Sequence, residues 1–355
     1  MPNVTTNRIH QHHLLTGVLG VALTRDAQTA YVACLDGVHQ VRVADGAVTS
    51  IGQHESYASG IVLREEAAEL ITAGYDGKLQ WHDVRAPRTI RQIDAHDFWS
   101  WRLALSQDLR RVATSTGQYL AGSYDYQPAD ASEPTVKVYD AATGELLRAV
   151  TLRPPVQAVA LSADGQFVAA GNLMGDLSVW SVDSGERLAE WNTEAFTGWG
   201  IIKSHCFIGG IYDLKFSPDG NELYATGMGP MRDPMAGNGK QTWQRFAWRA
   251  DSPKLVKEFK GGEGLMETLA FHPSGDYFVM GGRLRGGNWN VAVFETESGE
   301  LVHSLNTKCR VTEAVFSHDG QLLVLAGAQG QPQPKEGKYG HFGRFDVFEF
   351  AVTST

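Results

Sequence analysis

The chain repeats a phrase, an apolar run that stops in a turn of the Ser-Pro-Asp-Gly kind. Clear copies are Leu161-Ser162-Ala163-Asp164-Gly165, Phe216-Ser217-Pro218-Asp219-Gly220, Phe271-His272-Pro273-Ser274-Gly275 and Phe316-Ser317-His318-Asp319-Gly320. Worn copies stand upstream at Leu23-Thr24-Arg25-Asp26, Leu63-Arg64-Glu65-Glu66 and Leu105-Ser106-Gln107-Asp108. Seven copies at intervals of about 40–55 residues define an array of small β units that must stack to bury a core. An array that closes on itself overrides the length prior, under which 355 residues would make two domains.

The fourth unit reads most clearly. Val156 to Leu161 alternates and holds no turn residue, Asp164-Gly165 turns the chain, and Phe167 to Gly171 returns. Met174-Gly175-Asp176 turns again into Leu177 to Trp180, and Asp183-Ser184-Gly185 leads to an outer strand, Arg187 to Trp191. The last turn recurs as Ala142-Thr143-Gly144-Glu145-Leu146 and Glu297-Ser298-Gly299-Glu300-Leu301, where Gly supplies the positive φ of a tight hairpin. Four short antiparallel strands with turn chemistry at each joint make one propeller blade. Helical periodicity is nowhere sustained. The expected fold is therefore all-β, a seven-bladed β-propeller of four-stranded antiparallel blades in a single domain over residues 1–355. The seventh unit ends at Phe345 to Phe350, its third strand, so it lacks an outer strand. Residues Val4 to Leu14 have no other home and are expected to close the ring there, covering an open sheet edge. This divides the chain into a closing strand at 1–15, seven repeats at 16–350 and a tail at 351–355.

The inner strands carry two columns. One reads Gly20, Gly60, Arg102, Ala158, Asp213, Thr268 and Glu313; the next reads Ala22, Val62, Ala104, Ala160, Lys215, Ala270 and Val315. Blades converge at the ring axis, which favours small residues. The charged exceptions, Arg102, Asp213, Lys215 and Glu313, are expected to pair in a central channel.

These residues resemble the WD40-repeat family over essentially the whole chain, in a divergent, bacterial-type form. The position of the family's Trp-Asp at the end of the third strand reads His82-Asp83, Tyr139-Asp140, Trp180-Ser181, Trp248-Arg249, Phe294-Glu295 and Phe348-Glu349. In that family a His, a Ser or Thr, an Asp and the Trp form a hydrogen-bonded set within a blade. The resemblance carries this to His54, Thr72, Asp76 and His82 of blade two. It also implies a mostly non-catalytic protein that displays partners on its rim and faces.

Insertions into the repeat point to one face. Blade three adds Thr116 to Thr135 between its second and third strands, blade five Thr226 to Trp243, blade six Gly282 to Trp289 and blade seven Gly327 to Arg344. The connection Thr193 to Gly210 between blades four and five is also long. In this topology such loops and blade connections emerge together, and long loops are commonly functional. Those of blades five to seven carry Arg232, Lys240, Arg283, Arg285, Lys335, Lys338 and Arg344 against Asp233 and Glu336, in a chain of net charge −9. The blade three insertion has Asp125, Asp130 and Glu133 and no base. A polarised face follows, its basic side suited to a protein partner with an acidic or phosphate-bearing segment. The expected contact residues are Trp101, Trp199, Tyr212, Arg232, Trp243, Arg283, Arg285, Trp289, Tyr339, His341 and Arg344, rich in the Trp, Tyr and Arg that dominate interfaces.

Other functions find less support. The negative charge argues against whole-surface binding of nucleic acid or anionic lipid. No apolar stretch approaches membrane-spanning length, and the polar N-terminus with His10, His12 and His13 does not read as a secretory signal. Cys34, Cys206 and Cys309 are too scattered for a disulfide framework or a Cys-x-x-Cys knuckle, which fits a reducing cytoplasm. Of the N-terminal histidines, His10 and His12 share a strand face while His13 points away. No catalytic motif appears, so no cofactor, metal or catalytic residue is expected, and the chain is expected to be monomeric by itself. The alternative is a ligand-binding or lactonase-like, metal-dependent propeller using Asp213, Glu267 and Glu313 at the channel mouth.

Overall fold

The computed structural model of the chain describes residues 3–120, 127–128, 130–199, 207–228, 243–261, 264–284, 288–330 and 340–353. They form a seven-bladed β-propeller of antiparallel, four-stranded blades. The inner strands, from blade one to blade seven, are Val18–Leu23, Ala58–Arg64, Arg102–Leu105, Val156–Leu161, Phe207–Phe216, Gly264–Phe271 and Arg310–Phe316. Among the described residues no helix is long and apolar enough to cross a membrane.

The repeated phrase is a hydrogen-bonded unit. In Ser162-Ala163-Asp164-Gly165 the Ser162 hydroxyl donates to Asp164 (2.7 Å) and accepts from the Phe167 N–H (3.0 Å), while Asp164 also accepts from the Gln166 N–H (3.0 Å). The same bonds recur from Ser106, Ser217, Ser317 and Thr24. The fourth residue is left-handed in each: Gly165 (φ +68°), Gly220 (+71°) and Gly320 (+74°), but Ala27 (+55°) and Leu109 (+60°) in the worn copies. The hydrogen bonds therefore hold the turn where glycine is missing.

The ring closes as expected. Asn3–Leu14 pairs antiparallel with Gly343–Thr353, which pairs in turn with Leu322–Ala328. Leu14 and Val18 meet Phe345 and Val347 in a core cluster shared by blades one and seven. Similar clusters join blades four and five and blades five and six. The core thus lies between blades, and each sheet is buried on both faces. At the axis, a Cβ on Gly60 would come within 2.8 Å of the Leu103 side chain, so the small-residue column reflects contact between inner strands.

Blade two assembles the expected polar set. Asp76 contacts His54 Nδ1 (3.0 Å), Thr72 Oγ1 lies 2.9 Å from both His54 Nε2 and His82 Nε2, and Thr89 Oγ1 lies 3.2 Å from His82 Nδ1. One proton arrangement satisfies all four contacts with both imidazoles neutral. Thr89 donates to His82, His82 to Thr72, Thr72 to His54 and His54 to the Asp76 carboxylate. Burial, reinforced by His54, pushes His82 down to about 4, which keeps it neutral. Gly74 makes the room: a Cβ there would sit 2.3 Å from His54 Nδ1.

Candidate functional site

The inner-strand columns line a channel of about 600 Å³. Its charged members pair. Lys215 reaches Asp213 (3.1 Å), and Arg102 reaches Glu313 (3.3 Å) and the Glu267 carbonyl (2.7 Å). Arg102 belongs to blade three and its partners to blades six and seven, so its side chain crosses the ring. Asp213 also accepts from the Leu269 N–H of the next blade (2.8 Å). Burial pushes the Glu313 carboxyl up despite Arg102 and Lys215. The third inner-ring acid, Glu267, is held by Arg310 through two bonds of 2.7 Å. All three expected acids therefore stand next to a cation.

The channel runs toward the repeated turns, where Leu23, Gln107, Pro273 and His318 line it, and the starts of the inner strands lie at its other end. Aromatic rings gather at that other end from blades two and three. Tyr75 stacks on Trp99 (4.9 Å between centroids, 7°), Phe98 also stacks against Trp99 (4.9 Å, 18°), and Trp101 meets both Tyr75 and Trp99 edge-on. Tyr57 adds a further ring at 5.7 Å from Tyr75. Tyr57 and Trp99 are 46% and 41% exposed, which makes this an accessible aromatic shelf rather than core.

Tyr57 also lines a cavity of about 670 Å³ formed by blades one, two, six and seven. Its cations are Arg283, Lys308 and Arg310; Asn306 and Gln329 add amides, and Leu35 and Phe342 add apolar wall. Among the described residues its lining holds no carboxylate. Shelf and cavity are thus continuous through Tyr57. Tyr212, on blade five, is pushed up to about 12 by burial and by the charge of Glu267.

Of the expected contact residues, Trp101 belongs to the shelf, where its indole N–H also donates to the Gly117 carbonyl (3.1 Å). Tyr212 is half-buried, and Arg283 is exposed in the cavity. His341 is exposed, and Trp289 is half-buried against the blade five–six core. Trp199 lies in a short strand, Thr197–Trp199, paired with Phe207–Gly209; its side chain lies outside the described structure. Arg232, Arg285 and Tyr339 lie outside the described residues, as do Lys240, Lys335, Lys338 and Asp125.

Two expected contacts belong to the interior. Trp243 begins the third strand of blade five, opposite Thr226, and is 0% exposed among Tyr224, Phe278 and Phe294. Arg344 lies in the third strand of blade seven and is 3% exposed, because Asp346 two residues on shares its face and neutralises it (2.8 Å). The acidic side is also weaker than the sequence suggests. Glu133 turns inward to His96 and Lys137 (2.7 Å), and although burial opposes this, their hydrogen bonds hold it down to about 2.

Sequence reasoning missed Tyr57, Tyr75, Lys308 and Arg310. Tyr57, Trp99 and Arg310 occupy one further column, two residues before Ser59, Trp101 and Thr312, so one more step up the inner strands reaches three members of the face. No protein-family model matches this chain, and no curated protein matches it.

Proposed function

We propose that this chain is a non-catalytic WD40-like scaffold that holds a partner protein on its loop-rich face, with an acidic segment in the cationic cavity and apolar side chains on the aromatic shelf. The observation that carries this reading is the continuity of the two surfaces. A 670 Å³ cavity, which holds Arg283 and Lys308 beside an Arg310 already paired with Glu267 and has no carboxylate in its described lining, runs through Tyr57 into exposed stacked rings. Cations and aromatics together supply charge complementarity and anchors that cost little conformational entropy. A non-catalytic role is supported by the inner-ring acids, each committed to Lys215, Arg102 or Arg310. The buried free thiols Cys34 and Cys309 suit a reducing compartment such as the cytoplasm.

The test is fluorescence anisotropy of a labelled peptide that alternates glutamate with tryptophan, against its glutamine counterpart and a phosphoserine counterpart. The wild type should bind the acidic forms, and Arg283→Glu with Lys308→Glu should weaken them by about tenfold or more. Equal affinity for the glutamine peptide, or no response to the double substitution, overturns the reading. Activity that tracks Asp213 or Glu313 and an added metal ion would instead favour the channel-mouth enzyme.

A further inference from the structure

We propose that Cys34, Asp36 and His39 of blade one form a binding site for one divalent transition-metal ion of the zinc class. The site is built by a two-residue hairpin turn. Strands Thr29–Cys34 and Gly37–Arg42 pair with Cys34 opposite Gly37 and Val32 opposite His39. Val32 and Cys34 project from one face of their strand, so His39 emerges beside Cys34, diagonally across the ladder. Asp36 lies in the turn between them. The three ligand atoms, a sulfur, a carboxylate oxygen and an imidazole nitrogen, all lie within 4.8 Å of one another.

Second contacts set two of these groups in place. Asp36 accepts from the Thr16 hydroxyl (2.5 Å), which reaches in from the connection after the closing strand, and lies 3.2 Å from His39 Nε2. His39 Nδ1 is buried and has no hydrogen-bond partner, so the ring keeps one nitrogen uncommitted. Access runs from the Asp36 and His39 side. Their side chains are 27% and 17% exposed, while Cys34, 1% exposed, forms the floor.

Ligand chemistry selects the metal. Magnesium and calcium take all-oxygen sites, whereas a thiolate, an imidazole and a carboxylate together suit zinc or cobalt, with a fourth position left for water. On ligation the Cys34 thiol gives its proton to solvent and its sulfur lone pair to the ion, and His39 binds as neutral imidazole. No redox change is involved. The Cys-x-Asp-x-x-His spacing escapes a search for Cys-x-x-Cys, which is why Cys34 reads as isolated in sequence. The proposal does not depend on what the loop-rich face binds.

Cobalt titration of the full, metal-free chain tests it. One equivalent of Co²⁺ should produce a near-ultraviolet thiolate-to-cobalt charge-transfer band, with the intense visible bands of a four-coordinate ion. Cys34→Ser should abolish the charge-transfer band, while Cys206→Ser and Cys309→Ser should keep it. The histidines His10, His12 and His13 can bind cobalt but cannot give that band. His39→Gln and Asp36→Asn should each weaken binding by about tenfold or more. Zinc at a fixed concentration should raise the Tm of the wild type more than that of His39→Gln, a readout that holds even if Cys34→Ser folds poorly. Absence of the band in the folded wild type, its persistence in Cys34→Ser, or its loss only in a variant of another cysteine overturns the site.

Discussion

Blade two joins its strands through a chain of neutral groups, whereas blade seven carries a salt bridge in the same kind of interior. In blade two each hydrogen bond from Thr89 to Asp76 has one donor and one acceptor, and only the terminal carboxylate is charged. In blade seven Arg344 and Asp346 are 3% and 0% exposed, with Arg8 (3.9 Å) and Gln329 (3.3 Å) as outer partners. A propeller blade therefore does not need one polar solution. What each set needs is that its own buried donors, acceptors and charges stay matched, and the two blades differ in what happens when that balance is broken.

The largest effect should come from unbalancing blade seven. Asp346→Ala leaves the Arg344 guanidinium buried beside Arg8, and should cost about 3–5 kcal/mol in urea unfolding. Arg344→Met with Asp346→Leu should recover most of that loss, because the pair also carries its own desolvation penalty. Recovery of none of it would mean that the ion pair does more than neutralise itself. Acid should act on the other blade. His82 titrates near 4 when folded and near 6.5 when unfolded, so as pH falls below 6.5 the unfolded chain takes up a proton that the folded one refuses. Stability through His82 is complete above pH 6.5 and falls as pH drops toward 4, by about 2–3 kcal/mol in all. Burial pushes the Asp346 carboxyl upward, so acidification withdraws nothing through that group. Protection against amide hydrogen exchange, taken relative to the free-peptide rate at each pH, should accordingly fall in blade two before blade seven between pH 7 and 4.5. Simultaneous change in both would remove the distinction. Thr72→Val, which deletes the central hydroxyl, should cost about 1–2 kcal/mol and raise the exchange of blade two alone.

The part of this that sequence makes legible is the part encoded locally. Apolar runs, Ser-x-Asp-Gly turns and the missing outer strand of the seventh unit together lead to the seven blades and to closure by Asn3–Leu14. His54, Thr72, Asp76 and His82 follow once the register is known. Trp243 and Arg344 do not follow, because strands packed between blades are buried on both faces. From Gly343 to Phe348 every residue is buried, and alternation, which separates core from surface in a one-sided sheet, carries no signal there. That Arg102, Asp213, Lys215 and Glu313 pair in the channel follows from the two columns, but the reach of Arg102 across the ring to the Glu267 carbonyl is illegible for a different reason. It depends on the width of the channel, a property of the closed ring and of no single repeat. The face was half legible: long loops point to it, but Tyr57 and Arg310 sit on the inner strands themselves.

Lys308 offers the finest comparison, since it lies in the cationic cavity and in a backbone conformation that favours glycine. Its φ is +57°, and its N–H donates to the Asn306 side chain (2.9 Å), which keeps the turn formed. A left-handed non-glycine residue costs about 1–2 kcal/mol, part of which glycine returns through its greater loss of backbone entropy. Lys308→Gly should therefore be more stable than Lys308→Ala by about 0.5–1 kcal/mol in urea unfolding. Both variants remove the same charge from the cavity and should weaken acidic-peptide binding equally. That pairing separates the two reasons for a lysine at this position. Equal stability of the two variants would show that the turn stores no strain. A stability gain joined to lost binding would show that the face keeps a strained residue for its charge, at a point where the fold alone would choose glycine.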